Sequence, residues 1–168
     1  LATLVVAGAG WRYGVGVITA FTIAHSLTLA LALLGWVRVP EALTESLIAA
    51  SIVVMALDNL RLARRGVRPR TAPRAALAFA FGLLHGLGFA ASLALPELGG
   101  PALALHLVGF NLGIEAGQAA FLLVVWALMA LAQRVCGLAP RRVATALSLL
   151  ALAAGSLWLV QRVWDGLA

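Results

Sequence analysis

Lysine is absent from the 168-residue sequence, cysteine and tyrosine occur once each, histidine three times, and only 11% of the residues are charged. Soluble domains carry about 25% charged residues, and here 63% of the chain is hydrophobic with a mean hydropathy of +1.04. A water-soluble globule of this size could not hide so much apolar surface, so that class is excluded. The single cysteine, Cys136, excludes an internal disulfide and leaves no thiolate cluster for zinc or an iron–sulfur centre; in a short basic loop, it is expected to be inert. All twelve positive residues are arginine, and they sit between apolar runs instead of along one face with aromatic neighbours. That pattern serves membrane topology and argues against nucleic-acid binding. No G-x-x-x-x-G-K-[ST] phosphate loop and no G-x-S-x-G nucleophile context occurs. His25 and Ser26 are adjacent and diverge by about 100° on a helix, so they form no Ser–His pair, and enzyme chemistry is not expected.

The apolar residues form long runs. Each bilayer crossing needs about 20 mostly apolar residues, and such windows predict an all-α, polytopic transmembrane helix bundle in a single domain. Five spans are expected at about 13–35, 43–60, 75–95, 104–132 and 142–164, preceded by a stub, Leu1–Ala9, with the character of the end of an earlier helix. The fourth window is about 45 Å long if wholly helical at ~1.5 Å per residue, more than a ~30 Å hydrocarbon core, which predicts a tilt or an interfacial first turn around His106. The connection 61–74 carries six arginines and no acid, and Arg134–Arg142 carries three. With Arg12, ten of the twelve arginines fall on one side, leaving Arg38 and Arg162 on the other. The positive-inside rule makes 61–74 and 133–141 cytoplasmic loops and puts the C-terminus outside. Trp11, Tyr13, Trp36, Trp158 and Trp164 fall near span ends, as an aromatic belt requires. The excess of alanine, leucine and arginine with no lysine suggests a GC-rich bacterial genome.

An ionisable side chain inside hydrocarbon costs about 2.5–3.5 kcal/mol on insertion scales, so each intramembrane polar residue is a candidate site residue. Thr22, His25 and Ser26 stand at i, i+3 and i+4 and share one helix face. Glu41, Glu45 and Ser51 lie along the second span, which ends at Asp58 and Asn59; Asp58 is expected to form an interfacial ion network with Arg61–Arg65. His85 stands beside Gly82 and Gly86, a G-x-x-x-G that lets a neighbouring backbone approach closely. In the fourth span Asn111, Glu115 and Gln118 recur at i, i+4 and i+7, roughly opposite Gly109, Gly113 and Gly117, which predicts protein or water on both sides. Glu115 has no basic partner within its own helix, so its charge must be met from elsewhere or neutralised. His106 is expected near the outer surface. Taken together, two histidines on separate helices, a glutamate, an asparagine and nearby hydroxyls can line one polar cleft. Imidazole and oxygen donors without sulfur suit a borderline divalent ion such as Ni²⁺, Co²⁺ or Zn²⁺ and disfavour Cu(I).

The segments TAFTIAHSLTLALALLG, ESLIAASIVVMALDNL, FGLLHGLGFAASL and GFNLGIEAGQ, in that order, resemble the HupE/UreJ family of bacterial inner-membrane proteins, over about residues 18–125. That resemblance implies a multi-pass permease for nickel or cobalt that supplies metalloenzyme maturation, with no tightly bound cofactor and with the metal ion, membrane lipid and maturation proteins as partners. Matching positions are His25, Ser26, Glu45, Ser51, Asn59, His85, Asn111, Glu115 and Gln118. Family members also carry an earlier helix with a histidine and an Asp-His pair, a motif these residues lack. Metal donors are therefore expected at His25, His85, Asn111 and Glu115, with Thr22, Ser26, Glu45, Ser51, Asn59 and Gln118 as orienting or pathway groups. The rival readings are a bis-histidine haem b anchor, which predicts a Soret band, and a non-transporting scaffold whose polar residues join helices.

Overall fold

A computed structural model describes residues 11–92, 100–137 and 139–166; the stub Leu1–Ala9 and the end of the third expected span lie outside these residues. Among the described residues there are five helices and no strand: α1 (Trp11–Leu33), α2 (Glu41–Arg65), α3 (Thr71–Ser92), α4 (Gly100–Cys136) and α5 (Pro140–Asp165). All five are long and apolar enough to cross a membrane.

The helices overrun the apolar windows because nothing breaks them at the hydrocarbon edge. Arginine is a good helix former, so α2 continues through the basic segment to Arg65 and stops only at Gly66, whose φ of 69° is left-handed. There the Gly66 N–H donates to Ala63 O (3.2 Å) and the Val67 N–H to Leu62 O (3.1 Å), a Schellman closure. Gly35, at φ 75°, ends α1 in the same way, with its N–H on Ala32 O and that of Trp36 on Leu31 O. The segment 61–74 expected as a loop is thus irregular only over 66–70. The longest helix, α4, has 37 residues, about 55 Å at 1.5 Å per residue.

Packing follows the small residues. α1 and α3 form the most intimate pair, running parallel: Gly82 lies on Phe21 O and Ala24, while Gly86 lies on His25 O, Thr28 Oγ1 and Leu29 N. Thr28 Oγ1 also donates across the pair to Leu83 O at 2.8 Å. α2 and α5 form the second pair, antiparallel, with Gly155 against Ile52 and Val53 and Glu45 Oε2 3.3 Å from Arg162 Nε. α2 also packs on α3, and α4 touches α1 and, slightly, α5, so contacts run around a ring α1–α3–α2–α5–α4. Tyr13, Val17, Phe21, Met55, Ala78 and Leu122 form the buried apolar cluster within it.

Asp58 departs from the expected network. Its partner is Arg74, in the first turn of α3, with Nη2 2.7 Å from Asp58 Oδ2. The pair is an ion contact without an aligned hydrogen bond, and Arg74 Nη1 reaches Met55 Sδ at 3.6 Å. Arg61, Arg64 and Arg65 extend outward instead and are exposed, as long basic side chains at a helix end do.

Candidate functional site

The close approach of α1 and α3 at Gly82 and Gly86 is what seats the two histidines. With no side chain at either glycine, the α1 backbone from Phe21 to Leu29 lies directly on α3, and His25 and His85, one residue from Gly86, come to the same level of the bundle. Phe21 neighbours both rings: its centroid is 6.0 Å from His25, stacked, and 5.2 Å from His85, edge-on. Phe89 of α3 meets His25 edge-on at 5.4 Å, and Phe110 of α4 stacks on it at 6.4 Å.

Their polar environments differ. Half-buried His85 donates Nδ1–H to Phe81 O at 2.8 Å; the carbonyl can only accept, so in neutral imidazole Nε2 keeps a free lone pair. His25 is 1% exposed, and neither of its ring nitrogens has a hydrogen-bond partner among the described residues. An unsatisfied buried polar group costs about 1–3 kcal/mol, and an aromatic cage supplies no acceptor to offset it.

The rest of the His25 face meets α4. Ser26 Oγ donates to Asn111 Oδ1 at 2.7 Å, and Asn111 Nδ2 donates to Leu107 O at 2.9 Å. Thr22 Oγ1 approaches Gln118 Oε1 at 3.5 Å. Thr22, His25, Ser26, His85, Asn111 and Gln118 are therefore brought together along the junction of α1, α3 and α4. Glu115 is not: it is exposed on α4, displaced from Asn111 and Gln118 by about 40–60° of helix rotation, on the open side of the same seam. Among the described residues Gly109, Gly113 and Gly117 also have nothing within 4 Å of where a side chain would begin, so of the two α4 faces on which protein or water is expected, the Asn111–Gln118 face is the one that meets a helix there.

The α2 candidates lie elsewhere. Glu45 pairs with Arg162, buried Ser51 donates to Ile48 O at 2.7 Å, and Asn59 is buried at the arginine-rich end. His106 is exposed, with Nδ1–H on Ala102 O at 2.9 Å. Among the described residues no three His, Cys, Asp or Glu side chains converge as a metal cluster would. The aromatic cage escaped sequence reasoning, although Phe21, Phe89 and Phe110 each stand within four residues of a singled-out polar side chain.

The arrangement thus offers two imidazoles set among rings, flanked by hydroxyl and amide oxygens, within a bundle of membrane-spanning length. No curated protein and no solved structure matches the chain. The family model described as HupE / UreJ protein matches residues 1–162, and the chain accordingly belongs to the HupE/UreJ family, a transporter-type membrane family associated with nickel and cobalt uptake.

Proposed function

We propose that the chain is a permease for a divalent transition metal, nickel first and cobalt second, that hands the ion along the α1–α3–α4 junction. The observation that carries this reading is His25: a buried imidazole with both nitrogens unpartnered among the described residues, sharing a phenylalanine neighbour with a second imidazole. A buried polar group left unsatisfied calls for a ligand, ion or water to complete it, and borderline divalent ions favour imidazole nitrogen. His25 and the Nε2 of His85 serve as successive nitrogen donors and Asn111 as an oxygen donor, while Thr22, Ser26 and Gln118 hold those groups in place. Glu115, at the open side of the seam, supplies the negative charge that offsets the entering cation. Glu45, Ser51 and Asn59 line α2 at three depths without coordinating the ion. Two imidazoles with weak oxygen donors hold an ion less tightly than a closed four-ligand site, and a transported ion must also leave.

Uptake of radioactive nickel by cells lacking other nickel importers tests the proposal. His25→Ala and His85→Ala are expected to lower uptake about tenfold or more at equal membrane abundance, as loss of a metal-handling group generally does. Glu115→Gln should raise the metal concentration needed for half-maximal uptake, and His106→Ala should match the parent. Parental uptake by all of the first three variants, correctly inserted, overturns the permease reading and leaves these side chains as helix-joining groups.

A further inference from the structure

The arginine-rich end of the α2–α5 pair carries a feature that metal transport does not use. A cavity of about 380 Å³ opens between the end of α2 (Asn59, Leu62, Ala63), the turn Gly66–Pro69 and the start of α5, with Arg68 and Arg141 in its wall. That volume is within the ~300–1,000 Å³ of small-ligand sites. The α5 N-terminus also lines it; Pro140 carries no N–H and the Arg142 N–H is taken by Ala139 O at 2.8 Å, so the Arg141 amide and the positive end of the helix dipole add to the arginine charge. Among the described residues no acidic side chain lines the cavity.

A second hollow of about 300 Å³ adjoins it, sharing Ala63, Arg141 and Thr145 and continuing past Arg64 to Leu60 and Leu149. Leu149 is 52% exposed on the side of α5. The two hollows form one groove at the same depth along α2 and α5, the first lined by the turn and the polar side chains Asn59, Thr145 and Ser148, the second running from Arg64 and Arg141 onto the apolar side chains Leu60 and Leu149. A free anion needs only the first part. We propose that the groove binds an anionic phospholipid of the arginine-rich leaflet, the phosphodiester between Arg68, Arg141 and the α5 N-terminus and an acyl chain along Leu60 and Leu149. Basic pockets between transmembrane helices at the positive-inside face hold such headgroups. The site stands apart from the His25–His85 junction, so its test is independent of transport.

The full chain is purified in mild detergent and titrated with dioleoyl phosphatidylglycerol, dioleoyl phosphatidylcholine, glycerol 3-phosphate or inorganic phosphate, with bound lipid read by native mass spectrometry and stability by thermal shift. Phosphatidylglycerol should be retained in preference to phosphatidylcholine, and Arg68→Gln and Arg141→Gln should each weaken retention about fivefold, since one arginine near a membrane surface contributes on that scale. Arg134→Gln, at the same end but outside the groove, should leave retention unchanged. Leu149→Asp should weaken lipid retention while the protein stays monodisperse. Equal loss with Arg134→Gln shows diffuse surface attraction and overturns the site; stabilisation by inorganic phosphate or glycerol 3-phosphate equal to that by lipid overturns the lipid assignment.

Discussion

Gly86→Ala is expected to unseat α1 from α3 and to abolish a stable monodisperse protein at growth temperature, whereas Gly113→Ala should be harmless. The first methyl would sit on Thr28 Oγ1 and His25 O and 3.0 Å from Leu29 N. Two of those three atoms belong to the α1 backbone, so no rotamer change relieves the clash and the helices must separate. Overpacking of this kind costs about 1–3 kcal/mol, and separation also breaks the Thr28–Leu83 bond, one of the interhelical hydrogen bonds that contribute about 0.6 kcal/mol each. At Gly113 an added methyl meets nothing within 4 Å among the described residues, and alanine exceeds glycine in helix propensity by up to about 1 kcal/mol. Thermal unfolding followed by fluorescence-detected size exclusion should rank Gly113→Ala at or above the parent and Gly86→Ala far below both. A parental melting temperature for Gly86→Ala means the helices do not cross at that glycine.

The crossing was legible because its signal is local: two glycines four apart on an apolar helix imply a close neighbour, and Gly82 and Gly86 have one. The shared face of Thr22, His25 and Ser26 was legible for the same reason. Which helix that face meets is not a local property. Asn111, Glu115 and Gln118 stand on one polar stripe, yet of these Asn111 and Gln118 reach α1 and Glu115 does not, because a rotation of about 40–60° separates a side chain in the seam from one beside it. The same limit explains Asp58. The arginines nearest in sequence point outward from α2, and the partner, Arg74, arrives on the next helix. Gly155 follows Ala151 by four residues, a small-x-x-x-small spacing weaker than a glycine pair, and that faint signal is all that announces its contact with Ile52.

The Asp58–Arg74 pair yields the second large effect, and its size depends on which partner is removed. Arg74 is 2% exposed while the Asp58 side chain is 38% exposed. Asp58→Ala therefore leaves a buried guanidinium without its carboxylate, with the Met55 sulfur 3.6 Å from Nη1, the situation that makes breaking a buried pair cost about 3–5 kcal/mol. Water reaching the Asp58 side softens this, so the loss should fall near the low end, about 3 kcal/mol. Arg74→Met removes the buried charge and leaves a carboxylate that solvent can reach, so the expected loss is smaller, about 1 kcal/mol. If the ion contact dominates, the double variant Asp58→Ala/Arg74→Met should be more stable than Asp58→Ala alone, because the orphaned charge is gone. A double-mutant cycle on thermal stability measures this. Additive single losses, with the double variant the worst of the three, would show that the two residues act separately and that the arginine-rich end of α2 and α3 is held by its apolar contacts.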